Sequence, residues 1–255
     1  MSKIKGKAST YGISQNFLTS TKTINQLLTK TTIDREDTVL EIGAGKGHIT
    51  NVLASKAENV LTYEIDALLA EKLKPKLREN VRLVQGDFLR AALPETSYKV
   101  FANIPFSITT EIIRKLTTSE HAPDAMWLIM EKGAAKRFCG QPYETLSSLQ
   151  LKPYFDVKIC HHLRREDFHP APRVDCVMME FIKKPHPDIP AAQRKAFAAF
   201  VQKAKQQGIG KLLTKKQIST ALRLAGLPMI ERSGNILYIQ WLCLFRCWMQ
   251  FGKQR

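Results

Sequence analysis

Thr38-Val-Leu-Glu-Ile-Gly-Ala-Gly-Lys-Gly47 decides the fold. Five residues of strand character run into three glycines spaced two apart, and a helical pattern follows through about residue 56. Glycines at such a turn let a ligand approach the backbone just ahead of a helix N-terminus. Taken alone the loop is a weak signal, because strand-to-helix turns also use glycine for purely conformational reasons.

Working outward, the same alternation repeats. Strands are predicted at 60–64, 81–84, 98–101 and 125–130, the third of these ending at Asn103. Helices are predicted at 68–77 and from Ser107 or Thr109 onward, the latter with Ile108, Ile112, Ile113 and Leu116 on one face. Strands separated by helices imply a parallel, doubly wound α/β sheet. Beyond residue 150 strands follow one another at 155–159 and 175–182, with no crossover helix between them. They are expected to extend the sheet edge as an antiparallel pair. Lys183-Lys-Pro-His-Pro-Asp-Ile-Pro190 reads as a linker. Helical patterns at 191–206, 215–225 and 238–251 then predict a smaller helical domain, so the expected division is 1–184 and 185–255. No internal repeat is seen.

The chain has 39 Lys and Arg against 23 Asp and Glu, a net charge of +16 that is unevenly spread. Residues 1–33 hold five lysines and no acid, and residues 191–255 hold twelve basic groups against Glu231 alone. A neutral body with two basic ends points to a polyanionic partner. A solvated, frayed tail explains the first seven residues equally well, but not the apolar-rich C-terminal segment. At 44% hydrophobic and 24% charged residues, the chain can bury a core and disorder is not expected outside the termini. No apolar run reaches the roughly 18 residues of a membrane span, and neither a signal peptide nor a membrane partner is expected. Five cysteines without a CxxC pair read as buried hydrophobes in the reducing cytoplasm.

In an open parallel sheet, ligands sit beyond the C-terminal strand ends, where chain order reverses. Four features fall there. Besides the glycine loop, Glu64 ends the second strand, where an acid can accept both hydroxyls of a ribose; a solvated carboxylate beside Asp66 is the plain alternative. Asp87 and Phe88 follow the third strand and suit an adenine, the carboxylate to the exocyclic amine and the ring against the base. An acid in an ordinary turn is an equal reading of Asp87 taken singly. Asn103-Ile-Pro-Phe106 closes the fourth strand and is the deciding feature. An exocyclic amine is a poor nucleophile because its lone pair is delocalised into the ring. The Asn103 side-chain oxygen and the Ile104 carbonyl could hold both of its hydrogens, with Pro105 fixing the turn and Phe106 stacking on an extruded base.

At this point the chain resembles a known family. Ser14-Gln-Asn-Phe-Leu18, Glu41-Ile-Gly-Ala-Gly-Lys-Gly-His48, Asn103-Ile-Pro-Phe106 and Phe168-His-Pro-Ala-Pro-Arg-Val174 together look like the ribosomal RNA adenine N6-methyltransferases, which use S-adenosylmethionine. The resemblance runs in order from about residue 13 to 182 and weakens in the last domain. Ser14, Ala44 and Lys46 stand where the housekeeping small-subunit branch has Gly, Pro and Leu. They favour the erythromycin-resistance branch, which methylates 23S rRNA, as does Gln240-Trp-Leu-Cys-Leu-Phe245. Where members often carry Tyr, this chain has Phe106.

Carried over by position, the resemblance implies that Asn16 and Leu18 close over the cofactor's methionine and that Gly43 and Gly45 pass beneath it. Glu64 would hold the ribose, Asp87 and Phe88 the adenine, and Asn103 both cofactor and target amine. Phe168 would flank the target base opposite Phe106, although a core aromatic ahead of a Pro-rich turn fits it nearly as well. His161, His162 and His169 lack metal spacing and read as structural or RNA-facing; no metal is expected. The expected reaction is in-line methyl transfer to N6 of one adenine, driven by positioning and charge and needing no strong general base. The expected outcome is macrolide-lincosamide-streptogramin B resistance.

The expected partner is 23S rRNA, with Arg194, Lys195, Lys203, Lys205, Lys211, Lys215 and Lys216 as candidates for phosphate contacts and the chain acting as a monomer. Each of these singly reads as a solvated helix face; the cluster is the argument. The target adenine is expected in or near an unpaired loop. The rival readings are a housekeeping small-subunit rRNA dimethyltransferase and a non-catalytic RNA-binding or assembly factor of the same fold. A nicotinamide dehydrogenase shares the glycine turn but gives no reason for Asn103-Ile-Pro-Phe106.

Overall fold

A computed structural model of the chain describes residues 16–231 and 235–252. The N-terminal basic arm, with Ser14, lies outside the described residues.

The chain opens with a short strand β1 (Phe17–Leu18) and helix α1 (Thr21–Leu28), whose N-terminus is capped by the Ser20 hydroxyl. Then come β2 (Thr38–Ile42), α2 (His48–Leu53), β3 (Asn59–Glu64), α3 (Ala67–Leu73), β4 (Val81–Gln85), β5 (Lys99–Asn103), α4 (Thr109–Thr118) and β6 (Ala125–Glu131). Helices α5 (Lys132–Cys139) and α6 (Leu146–Leu151) follow, then β7 (Phe155–Leu163), β8 (Phe168–His169) and β9 (Cys176–Lys183). The C-terminal helices are α7 (Arg194–Gln207), α8 (Lys215–Leu224) and α9 (Tyr238–Phe251).

Seven strands form one sheet in the order β4-β3-β2-β5-β6-β9-β7. The pairs from β4 to β6 are parallel, and β9 runs antiparallel between β6 and β7. From β2 the chain first steps outward to β3 and β4, then returns to the other side of β2 with β5. The reversal therefore lies between β2 and β5, and a ligand crevice is expected at their C-terminal ends.

Strand periodicity sorts the core. Leu40, Val100, Ala102, Met126 and Leu128 face one cluster, which also takes Ile112, Ile113 and Leu116 of α4. Val39, Phe101, Trp127 and Ile129, at the alternate positions, face a second cluster with α1 and α2. Both faces are covered, as a parallel sheet requires. The first cluster continues through Tyr154, Phe155 and Ile189 into Phe197, Phe200, Trp241 and Phe245 of the C-terminal helices. Segment 183–190 is packed rather than loose: Ile189 is buried, and the Tyr238 hydroxyl and Lys184 ammonium both donate to Asp188 at 2.6 Å.

Several expectations are adjusted. Helix α2 ends at Leu53 rather than near residue 56, and the second helix gives way at Lys74–Lys76 to a 3-10 turn carrying Pro75. Strand β7 runs on to Leu163 past a bulge between Ile159 and His161. Helices α1, α5 and α6 were not expected. Of the cysteines, Cys139 and Cys176 are buried, while Cys160, Cys243 and Cys247 are only half-buried. No described helix is long and apolar enough to cross a membrane.

Candidate active site

The cleft opens where the sheet reverses, at the C-terminal ends of β2, β3, β4 and β5, and encloses about 1000 Å³ of space partly open to solvent. Gly43, Gly45, Glu64, Asp87, Phe88, Asn103, Ile104 and Phe106 all line it, together with Asn16. Residues from Asn16 to Phe106 are thus gathered at one end of the sheet, those from Gly43 to Phe106 at the strand ends where an open parallel sheet is expected to bind its ligand.

The glycine loop is fixed by hydrogen bonds to β3. The N–H groups of Gly43 and Ala44 donate to the Tyr63 carbonyl at 2.9 and 3.0 Å. Gly45 N–H donates to Glu64 Oε2 at 2.7 Å, and Asp66 N–H to Glu64 Oε1 at 2.9 Å. Each carboxylate oxygen keeps a second lone pair, so the buried Glu64 is oriented by backbone and can still accept hydroxyls. Gly45 has φ +55°, and a Cβ there would stand 2.6 Å from Phe17 Cε1. At Gly43, φ +81°, a Cβ would meet no protein atom within 4 Å and would project into open space.

Asp87 caps the 3-10 turn Phe88–Arg90 by accepting from Leu89 N–H at 2.9 Å. Phe88 is buried edge-on against Tyr63, with ring centroids 5.5 Å apart. At the end of β5, Asn103 Nδ2 donates to the Asn16 carbonyl at 2.7 Å. A carbonyl can only accept, so this bond fixes which end of the amide is which. Asn103 Oδ1 is buried and has no hydrogen-bond partner. Its lone pairs are therefore free to accept from a bound group. Phe106 is half-buried beside it on the lining.

One β-bridge bears on two of the expected site residues. Strands β1 and β8 pair antiparallel, Leu18 opposite Phe168 and Phe17 opposite His169. Directly opposed residues share a face. Leu18 and Phe168 are 2% and 4% exposed in the second core cluster and do not line the cleft. The Leu18 and Phe168 side chains therefore face the core rather than the cleft. Phe17, on the opposite side of the pleat, lines the cleft instead, with the Lys46 ammonium 5.2 Å from its ring centroid. The motif contained Phe17, and period-two alternation was the signal that separates it from Leu18.

Glu41 was quoted in the glycine motif without a role. It is fully buried, and its Oε2 accepts the hydroxyls of Thr50 at 2.6 Å and Thr62 at 2.7 Å, while Oε1 has no partner. Burial pushes its pKa up to about 7 against the pull of the two hydroxyls. It joins α2 to β2 and β3 directly beneath the loop.

With this geometry in hand, comparison with known proteins is decisive. The family model for ribosomal RNA adenine dimethylases matches residues 7–230. The chain belongs to that family. Its members are S-adenosylmethionine-dependent methyltransferases. Relatives of this dimethylase family named rRNA adenine N-6-methyltransferase include one from Limosilactobacillus reuteri, 36% identical over 94% of this chain and 97% of its own. Another, from Escherichia coli, is 34% identical over 95% and 97%. Among solved structures, the 23S rRNA methyltransferase ErmE superposes with a TM-score of 0.81 at 26% identity, covering 92% of this chain and all of that one. A dimethyladenosine transferase from Plasmodium falciparum, at 20% identity and a TM-score of 0.69, shares the fold. The cleft of this dimethylase-family chain fits S-adenosylmethionine: a carboxylate held by backbone at β3, an acid and aromatic at β4, open space above Gly43 and an orphaned amide oxygen at β5.

The basic residues of the C-terminal helices divide in two. Lys195, Lys203, Lys211, Lys215 and Lys216 are exposed. Arg194, in contrast, donates from Nη2 to the Thr117 carbonyl at 2.7 Å and lies 3.9 Å from the Tyr154 ring centroid. Its planar guanidinium is half-buried and engaged by the protein itself, unlike that of a residue free to meet a phosphate. The Lys205 ammonium donates to the Glu144 carbonyl at 2.6 Å. His161 and His162 lie on β7 opposite Met178 and Val177.

Proposed function

We propose that this protein transfers methyl groups from S-adenosylmethionine to N6 of a specific adenine in 23S rRNA, conferring macrolide-lincosamide-streptogramin B resistance. The observation that carries the reaction is the buried, unpartnered Oδ1 of Asn103 at the cleft wall. Bound S-adenosylmethionine supplies an electrophilic methyl on a sulfonium. The protein supplies position. Asn103 Oδ1 accepts one hydrogen of the target amine, the Ile104 carbonyl accepts the other, and the lone pair is turned out of conjugation. Phe106 stacks on the extruded base, at a few kcal/mol of unstacking cost in the RNA. The amine proton passes to water. Glu64 takes the ribose, Asp87 and Phe88 the adenine, Gly43 and Gly45 the close approach, and Asn16 with Phe17 covers the methionine side.

The 23S assignment is supported by Ala44 and Lys46 in the loop and by the likeness to ErmE over 92% of this chain. Residues 1–184 carry catalysis and 185–255 the grip on rRNA, through Lys195, Lys203, Lys211, Lys215 and Lys216. Methyl transfer to naked 23S and 16S rRNA, with the modified nucleotide mapped, tests the reading: modification of one 23S adenine is expected, and raised macrolide tolerance in cells expressing the protein. Modification of 16S rRNA alone would make it a housekeeping small-subunit enzyme, and none on either would make it a binding factor.

A further inference from the structure

Helix α4 starts three residues after Phe106, and Lys115 stands in its second turn. The Lys115 ammonium donates to the carbonyl of Leu89 at 3.1 Å and to that of Ala91, and lies 5.1 Å from the Phe88 ring centroid. Those carbonyls belong to the 3-10 turn Phe88–Arg90 and its C-cap, and the same turn is capped at its other end by Asp87. One cation thus ties the residues beneath the cofactor's adenine to the helix that continues from Asn103–Phe106.

The turn needs such a tie. A single 3-10 turn has few bonds of its own; here Arg90 N–H donates to Asp87 and Ala91 N–H to Phe88, at 3.0 and 3.1 Å. An ammonium has three donors and no acceptor, so two carbonyls and an aromatic face suit it. Burial favours loss of its proton and the charge of Asp87 opposes that loss.

We propose that Lys115 is a positioning residue for the cofactor's adenine, holding the Asp87–Phe88 turn against α4 in register with the amine-binding motif. The proposal rests on the reading that this cleft takes S-adenosylmethionine with its adenine at Asp87 and Phe88. It gives the two halves of the site, cofactor base and target base, a shared mechanical reference.

The test is calorimetric titration of S-adenosylhomocysteine into the full chain, for wild type, K115M and K115R. K115M should weaken binding about ten-fold, the size of one charge-assisted hydrogen bond. The KM for S-adenosylmethionine should rise by a similar factor while kcat stays within about two-fold, as loss of uniform binding requires. K115R, which keeps charge and donors, should recover most of the affinity. Preference for S-adenosylhomocysteine over its inosine analogue, which lacks the 6-amino group, should shrink in K115M as Asp87 loses its fixed place. If K115M fails to fold, K115Q carries the same expectations. Folded K115M or K115Q binding as tightly as wild type, or losing kcat with affinity unchanged, overturns the proposal. Wild type failing to bind S-adenosylhomocysteine overturns the cofactor reading itself.

Discussion

Asn103 and Asn16, 87 positions apart, meet through one hydrogen bond of 2.7 Å that runs from the side-chain Nδ2 to a main-chain carbonyl. The bond spends the amide's donor end on the segment just before β1 and leaves its acceptor end buried without a partner in the cleft wall. Asn103 therefore has two jobs that substitutions separate. Asn103→Ala removes both, and single-turnover methyl transfer should fall at least about 100-fold, the size of a lost transition-state hydrogen bond, with cofactor affinity falling much less. Asn103→Asp keeps an acceptor toward the amine but sets a second oxygen against the Asn16 carbonyl, so it should also loosen the segment at Asn16–Phe17 and weaken cofactor binding. Transfer by Asn103→Ala at near wild-type speed would remove Asn103 from the mechanism.

Gly45 and Phe17 make a second testable pair. Ala at 45 would need φ +55° and would place its Cβ 2.6 Å from Phe17 Cε1. The left-handed conformation alone costs about 1 kcal/mol for a non-glycine residue, and the clash adds to it. Gly45→Ala should lower both melting temperature and cofactor affinity. Adding Phe17→Ala should return part of the lost stability while leaving affinity low, because Phe17 is itself a wall of the cleft. Purely additive effects in the double mutant would contradict the contact.

Much of this site was legible because its residues sit at strand ends, and strand ends follow from pattern. Glu64, Asp87 and Asn103 fall at the C-terminal ends of β3, β4 and β5 where the alternation puts them. What the sequence hid was set by distant pairing. Leu18 and Phe168 stand 150 positions apart, and only their bridge shows that both face the core while Phe17 faces the cleft. Helix α5 begins directly from β6 with no turn residue between Glu131 and Lys132, so no local signal marks it. Helix α1 holds two threonines and depends on Ile24, Leu27 and Leu28 being buried by the sheet. Arg194 carries the same charge as its exposed neighbours, and only the fold places Tyr154 beneath it.

Glu41 predicts a pH dependence. Its pKa is raised to about 7 in the folded chain by burial, above the ordinary carboxyl range of the unfolded chain. Between roughly pH 4.5 and 7 the folded state then binds more protons than the unfolded one, so stability falls as pH rises through that window. The contribution is of the order of 3 kcal/mol. Glu41→Gln cannot titrate and should show a flatter profile, with its urea midpoint gaining on wild type from pH 5 to pH 8. Parallel profiles for the two proteins would mean that Glu41 stays ionised when buried.

The exposed lysines of the C-terminal helices predict a salt dependence distinct from stability. Each phosphate contact to single-stranded nucleic acid contributes about 0.7 to the slope of log affinity against log salt. Replacing Lys195, Lys203, Lys211, Lys215 and Lys216 together by Gln should lower the slope for a 23S rRNA fragment by roughly 3.5 if all five face phosphates. Their side chains are exposed, so the melting temperature should hardly move. Arg194→Gln should do the reverse. It removes a guanidinium stacked on Tyr154 and a 2.7 Å bond to the Thr117 carbonyl, so it should lower the melting temperature and leave the slope intact. Cation–aromatic contacts of this kind are worth about 0.5–2 kcal/mol. An unchanged slope in the five-lysine variant would move the RNA-binding surface elsewhere on the protein, and a lowered slope in Arg194→Gln would return that residue to the phosphate-facing set.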